Sequence, residues 1–90
     1  MDLKKLKVES RGLEPVVIIG KQGINDSVIS HIKHVLKKKK LIKIKLSRGY
    51  LDSQLDSGKS RKEIALNIAE LTNTILIDSV GLTVSLGRKR

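Results

Sequence analysis

The residues Gly20-Lys21-Gln22-Gly23 have types and a spacing that suit contact with an anion. Two glycines let the backbone turn sharply and approach a ligand with no Cβ in the way. Asn25 is a residue type that caps helices, and the free N–H groups at a helix start attract negative charge. Lys21 adds a positive side chain, whereas Asp26 adds an opposing acid nearby. The motif predicts a phosphate-contacting loop, although a glycine after a strand often makes only a plain turn.

No other group of residues has the spacing that catalysis requires. Asp52 and Asp56 stand four apart, but solvated turn residues explain them better than an acid–base pair. His31 and His34 stand three apart and lack a carboxylate at ligand spacing, so we expect no metal site. The glycine loop lacks the third glycine of the dinucleotide pattern and the Gly-Lys-Ser/Thr ending of a P-loop. The sequence therefore favours binding over enzymatic activity, with no cofactor and no small-molecule substrate.

The charge balance indicates a polyanionic partner. The chain has 90 residues, 19 basic against nine acidic, which gives a net charge of +10. Such an excess on one small domain, residues 1–90, points to nucleic acid first and to an acidic membrane surface second. Tyr50 is the only aromatic residue, so base stacking is disfavoured and contact with a nucleic-acid backbone is favoured.

Two absences limit the protein class further. The chain has no cysteine, which excludes disulfides and thiolate metal sites. Residues 1–5 lead into no apolar leader segment, and no apolar run approaches the length of a membrane span. We therefore expect a cytoplasmic protein that does not insert into a membrane.

The first half of the chain predicts the elements that carry the glycine loop. Leu3 and Leu6 favour a short helix that Gly12 ends, and the β-branched run 16–19 predicts a buried strand. Apolar residues recur at helical spacing from Ile24 to Leu36, and this helix runs out into four lysines, 37–40. Alternation over 41–46 then predicts a strand with one buried face, which carries Ile42, Ile44 and Leu46.

The second half predicts a long loop, a helix and a hairpin. Residues 47–59 have weak periodicity and read as a loop with a short ordered turn around 51–55. Ser60 and Glu63 match a capping box, and Asn73 ends the helix that follows. Strands over 75–77 and 82–86 flank a turn at 80–81. The predicted fold is α/β, a small two-layer sandwich of order α-β-α-β-α-β-β on a mixed four-stranded sheet.

The pattern Leu13-x-Pro15-Val16-Val17-x-Ile19-Gly20-x-x-Gly23, followed by a helix and then 41–45, resembles the CRM domain of chloroplast RNA splicing and ribosome maturation proteins. The stretch 61–65 and the hairpin with Gly81 and Arg88 also fall in register, so the resemblance covers nearly the whole chain. It implies a fold similar to the C-terminal domain of a translation initiation factor, with a KH-like Gly-x-x-Gly loop that touches RNA.

The resemblance also implies a partner and a set of contact residues. Stand-alone prokaryotic members associate with precursors of the large ribosomal subunit, so the implied role is a ribosome assembly factor that binds ribosomal RNA. The implied RNA-binding residues are the loop and nearby basic side chains: Gly20, Lys21, Gln22, Gly23, Lys33, Lys37, Lys43, Lys45, Arg61 and Arg88. We expect the double substitution Gly20→Asp/Gly23→Asp to weaken RNA binding with little loss of folding.

Two alternatives remain open on the residues alone. An Alba-like chromatin protein is also small and basic, has a similar fold, and would prefer duplex DNA. Counterion release is indifferent to the sugar, so a lysine-rich surface does not by itself separate RNA from DNA. A membrane-surface or protein adaptor is disfavoured because the apolar residues are used in core stripes.

Overall fold

The computed structural model describes residues 2–89, which form four α-helices and four β-strands. Met1 and Arg90, the ends of the predicted domain, lie outside the described residues. In chain order the elements are α1 (Leu3–Arg11), β1 (Val17–Ile19), α2 (Asp26–Lys38), β2 (Leu41–Leu46), α3 (Arg48–Asp56), α4 (Arg61–Leu71), β3 (Thr74–Val80) and β4 (Thr83–Arg88).

The strands form one mixed sheet in the order β1-β2-β4-β3. β1 pairs with β2 in parallel, and β4 lies antiparallel between β2 and β3. Ile44 in β2 therefore has Val17 on one side and Val84 on the other. The predicted mixed four-stranded sheet, with a parallel pair and a final antiparallel hairpin, is confirmed.

One face of this sheet carries the main core, as the alternation in β2 predicts. Ile42, Ile44 and Leu46 are buried in the core, whereas Lys43 and Lys45 point to the opposite face. α2 and α4 supply the helical side of this core through Ile32, Leu36, Ile64, Ala65, Ile68 and Ala69. The core is thus almost wholly aliphatic, which matches the composition.

Helix α1 lies on the other face of the sheet. Leu41 and Ile77 are buried there, outside the main core cluster. Ser10 of α1 is 1% exposed and lines a small cavity with Lys43 and Ser85, whose side chains point away from the main core. The predicted two layers, helices on a sheet, are therefore present on the core face. Helix α1 adds a partial third layer on the opposite face.

The prediction of a long loop over 47–59 was wrong, because residues 48–56 form helix α3. Ser47 begins the helix by accepting a hydrogen bond from the Tyr50 backbone N–H. Tyr50 and Leu51 are buried in the core, so tertiary packing stabilises a segment whose own helical signal is weak. The element order is α-β-α-β-α-α-β-β rather than the predicted α-β-α-β-α-β-β.

The predicted ends of α4 are confirmed. Ser60 and Glu63 form the reciprocal hydrogen bonds of a capping box. Asn73 follows the helix with a φ of 55°, a left-handed conformation that cannot continue an α-helix. β3 is longer than predicted and contains an irregularity at Ile77, where the register with β4 shifts. Leu66, which falls off the helical stripe, is exposed.

Candidate functional site

The glycine loop lies at one edge of the sheet, where several chain segments meet. β1 and β2 are parallel, so Gly20 and Ser47 follow their carboxyl ends side by side. The Ser47 backbone N–H donates to the Ile19 carbonyl at 2.9 Å, and the Leu46 N–H donates to the Leu82 carbonyl at 2.7 Å. We call this edge, formed by residues 20–23, 47–49 and 81–82, the loop edge.

The loop itself is a tight turn. The Gly23 N–H donates to the Gly20 carbonyl at 2.9 Å, and Gly23 has a φ of 79°. A Cβ built on Gly20 meets nothing within 4 Å, so this side of the backbone is open to a ligand. Lys21 and Gln22 are exposed at the tip. The predicted turn is present, and contact of this turn with RNA stays a prediction.

Helix α3 begins beside the loop, and the sequence analysis missed its contribution. Gly49 lies against the Lys21 side chain, because a Cβ on Gly49 would stand 3.7 Å from Lys21 Cγ. Arg48 is exposed at the first turn of α3, which contains no acid. Ser47, a good N-cap residue, was the sequence signal that could have identified this helix start. Arg48 lies between Ser47 and Gly49, so it adds a second exposed cation to the loop edge.

Tyr50 supports the loop from beneath. The Tyr50 Cε1 atom lies 3.2 Å from the position that a Cβ on Gly23 would occupy. Burial raises the pKa of the Tyr50 phenol above its usual value of 10.0, so the ring is neutral at physiological pH and brings no negative charge to the loop edge. The only aromatic residue of the chain is therefore a packing element of the candidate site.

The start of α2 follows the glycine loop directly. Asn25 caps α2 as predicted, since its Oδ1 accepts a hydrogen bond from the Val28 N–H at 2.9 Å. This bond satisfies one of the free donors at the helix start. Asp26 is exposed as the first helical residue, where a carboxylate complements the positive end of the helix dipole. The Gly20 turn and the cations near it are therefore better suited to contact an anion than the start of α2 is.

Three other predicted contact residues, two near the loop edge and one in the middle of β2, have different roles. Lys45 is exposed on the sheet face opposite the core. Arg61 donates from Nη1 to the Gly81 carbonyl at 3.2 Å, which ties the start of α4 to the β3–β4 turn. Lys43 is half-buried and lines a cavity of about 300 Å³ with Asp78. Lys45 is therefore the most available of the three for an added ligand.

The remaining predicted contact residues lie at the opposite edge of the sheet, which we call the distal edge. Lys33, Lys37 and Arg88 line one cleft there, and Arg88 Nη1 donates to the carbonyls of Leu36 and Lys37 at 3.1 and 3.3 Å. β2 spans six residues, and at about 3.3 Å a residue the two edges stand about 20 Å apart. The ten predicted residues thus do not form a single site.

The cations at both edges are free of acidic partners. Within residues 2–89 the ion pair found is Arg11 with Asp78, at 3.9 Å between Arg11 Nε and Asp78 Oδ2. In the same described part of the chain, no cluster of three or more potential ligands could hold a metal ion, and His31 and His34 are both exposed. None of the described helices is long and apolar enough to cross a bilayer.

A family model for the CRS1/YhbY (CRM) domain matches residues 1–88. The chain belongs to the CRM family. The match spans both edges of the sheet and includes α3, which the sequence pattern did not predict. The resemblance that the glycine motif carried is thereby confirmed at the level of the family.

Two relatives agree with this assignment. The CRM domain is 31% identical over 87 residues to the "Probable RNA-binding protein MJ0652" of Methanocaldococcus jannaschii, across 97% of this chain and 60% of that protein. The chain therefore spans less than two thirds of this relative. The CRM domain also superposes on the solution structure of the hypothetical protein SAV1595 from Staphylococcus aureus, described as a candidate RNA-binding protein. That match has a TM-score of 0.72 and 26% identity, and it covers 98% of this chain and 84% of the other.

Proposed function

We propose that this CRM domain is a non-catalytic RNA-binding protein that contacts RNA backbone at the loop edge. The observation that carries the proposal is the open Gly20 turn, with the exposed cations Lys21 and Arg48 at the same edge of the sheet. A phosphate can approach the bare backbone there while both cations contact its oxygens. Lys45 and Arg61 add positive charge around the same edge. The names of both relatives refer to RNA binding, which supports RNA as the polyanion.

The finer part of the proposal is that the RNA is ribosomal. We infer that the protein acts in the cytoplasm as an assembly factor on precursors of the large ribosomal subunit, which is the role that its resemblance to the CRM family implies. The Alba-like alternative was based on size, charge and fold alone, and no feature of the loop edge favours it. Duplex DNA is therefore the competitor that a binding experiment must include.

The first experiment is a competition titration of large-subunit ribosomal RNA fragments against duplex DNA of equal length, across a salt series. For the wild type, we expect the preference for RNA over DNA to persist near physiological salt. For the variant Gly20→Asp/Lys21→Gln, we expect RNA affinity to fall about tenfold or more, because a charge-assisted hydrogen bond contributes about 1.5–3 kcal/mol. Gly20 is chosen because a side chain there meets no neighbour.

The control variant is Lys7→Glu/Lys62→Gln, which changes two exposed cations on α1 and α4 outside the glycine loop. Gly20→Asp/Lys21→Gln lowers the net charge by two, and the control lowers it by three, so the control is the harsher change in charge. Wild-type RNA affinity in the loop variant would contradict contact at the loop edge. Equal RNA and DNA affinities that fall together with salt would contradict RNA recognition.

The ribosomal part needs its own test, because the titration addresses only RNA binding. Crosslinking in cells, followed by recovery of the protein and sequencing of the attached RNA, should give large-subunit ribosomal RNA. Recovery mainly of messenger RNA would contradict the assembly role while leaving RNA binding intact.

A further inference from the structure

Basic side chains from several elements converge at the distal edge. They line two clefts that share Arg88 and Lys89. The larger cleft, of about 880 Å³, lies between α1 and the sheet, and the smaller, of about 360 Å³, lies between α2 and the start of β3. We call these basic residues the distal cluster: Lys5, Lys33, Lys37, Lys40, Arg88 and Lys89.

Helix stability explains only part of this cluster. The carboxyl end of α2 carries partial negative charge, so Lys37 and the guanidinium of Arg88 have a structural role there. Lys5 belongs to α1 and has no such role, and Lys40 lies beyond Lys39, the C-cap of α2. Lys89 makes one exposed hydrogen bond, from Nζ to Asn73 Oδ1 at 3.2 Å.

Acids offset only part of the charge around the larger cleft. Asp2 and Glu9 line it together with the four cations Lys5, Lys40, Arg88 and Lys89. Asp2 Oδ1 also caps α1 by accepting from the backbone N–H groups of Lys4 and Lys5. No ion pair in the described range 2–89 involves the distal cluster. The remaining excess of positive charge repels itself, and this repulsion favours a polyanionic ligand.

The lining of the larger cleft fits a sugar–phosphate backbone. Leu6 and Ile75 give this cleft an apolar part, and four cations border the same cleft. No aromatic residue belongs to the distal cluster, so the cleft has no ring on which a base could stack. Charged phosphates and less polar ribose match this combination of cationic and apolar surface.

We propose that the distal cluster is a second RNA-backbone contact, and that one RNA bridges the loop edge and the distal edge along α2. This inference rests on the proposed function. α2 begins shortly after Gly23 and ends at the distal cluster, and its 13 residues at about 1.5 Å each span about 20 Å. Asp26 is its only acid, and Lys33 is exposed between the two ends.

A bridging RNA must be long enough to reach both edges. Two linked contacts raise affinity through effective concentration, and a short RNA that reaches one contact gains nothing from the other. The target is therefore an RNA that spans at least about 20 Å rather than a strand of very few nucleotides. Length dependence separates this arrangement from a diffuse positive surface.

The test uses the triple variant Lys5→Gln/Lys40→Gln/Lys89→Gln of the full chain. Arg88 stays unchanged because its hydrogen bonds hold the end of α2. The matched control is Lys4→Gln/Lys7→Gln/Lys62→Gln, which removes three exposed cations that line neither cleft. Thermal unfolding of both variants checks that each is folded as the wild type is.

Two RNA probes are compared. The long probe is a ribosomal RNA hairpin of about 16 base pairs, which is the length that a double-stranded RNA-binding domain spans. The short probe has about four nucleotides, which is the number that a KH loop clamps. For the hairpin, we expect the fall of log affinity with log salt to be shallower by about 2–3 in the triple variant than in the control. The reason is that each phosphate neutralised by a cation contributes about 0.9 to the magnitude of this slope. For the short RNA, we expect the two variants to bind equally.

Equal hairpin slopes in the triple and control variants would overturn the second RNA contact. The same result is expected if the distal cluster binds an acidic protein rather than RNA. The proposed function would stand in that case provided that Gly20→Asp/Lys21→Gln weakens binding. Loss of hairpin binding in the triple variant alone, with the loop variant at wild-type affinity, would overturn the proposed function and the bridge together.

Discussion

The ring of Tyr50 lies against Gly23, with Tyr50 Cε1 only 3.2 Å from the position that a Cβ on Gly23 would occupy. Gly23 has a φ of 79°, and Tyr50 is 6% exposed in the first turn of α3. The glycine turn, which the sequence motif identifies, is therefore supported by a helix that the sequence pattern does not predict. Gly23 is therefore constrained both by its left-handed backbone conformation and by its contact with the Tyr50 ring.

Tyr50→Ala should destabilise the fold and release the glycine loop. Truncation of a buried aromatic side chain to alanine costs about 3–5 kcal/mol, and urea denaturation measures this loss as a lower midpoint. Tyr50→Phe keeps the ring against Gly23 and serves as the control. A Tyr50→Ala midpoint equal to that of Tyr50→Phe would contradict a supporting role for the ring.

The two loop glycines should respond differently to substitution. Gly23→Ala should lose about 1–2 kcal/mol of stability for the left-handed backbone alone, and crowding against Tyr50 adds to this cost. Gly20→Ala should stay within about 0.5 kcal/mol of the wild type, because nothing lies near its Cβ. Chemical denaturation of the pair measures the difference, and equal stabilities would show that Gly23 is not constrained as described.

This asymmetry corrects the expectation that both glycines can be replaced with little loss of folding. The expectation remains reasonable for Gly20, but Gly23→Asp combines backbone strain with contact against Tyr50. Reduced RNA binding in a double variant would therefore mix two causes. Binding tests should keep Gly23 and change Gly20 and Lys21.

Arg88→Gln should loosen the carboxyl end of α2. The variant loses charged hydrogen bonds to the carbonyls of Leu36 and Lys37, and we expect a loss of about 1–2 kcal/mol because Arg88 is partly solvated. Amide hydrogen exchange should rise in the last turn of α2. Lys37→Gln, which removes a nearby charge without removing either bond, is the control, and identical exchange in the two variants would argue against the cap.

Glu63→Gln should lower thermal stability at neutral pH and not in strong acid. Hydrogen bonds with the backbone and side chain of Ser60 lower the pKa of Glu63 from its usual 4.5. A lowered folded-state pKa contributes stability above the unfolded value, and this contribution is lost as pH falls through the folded pKa. Unfolding temperatures of both proteins should therefore converge below pH 4.5. A constant gap across the acid range would contradict a charge effect.

Local patterns determined several elements of this protein from sequence alone. The alternation through Ile42 and Ile44 predicts the buried face of β2, because side chains alternate across a strand whatever its neighbours are. Ser60 and Glu63 predict the start of α4, because a capping box uses backbone groups only three residues apart. The glycine turn followed from the same kind of local chemistry.

The tertiary structure alone decided the existence of α3 and the positions of the cations. Residues 47–59 have weak helical periodicity, and it is burial of Tyr50 and Leu51 against other elements that stabilises the helix. The sequence likewise placed Lys21 and Arg88 in one RNA-binding set, yet they lie at opposite edges of the sheet. Strand order and direction decide which chain ends meet, and these depend on pairing between residues far apart in sequence.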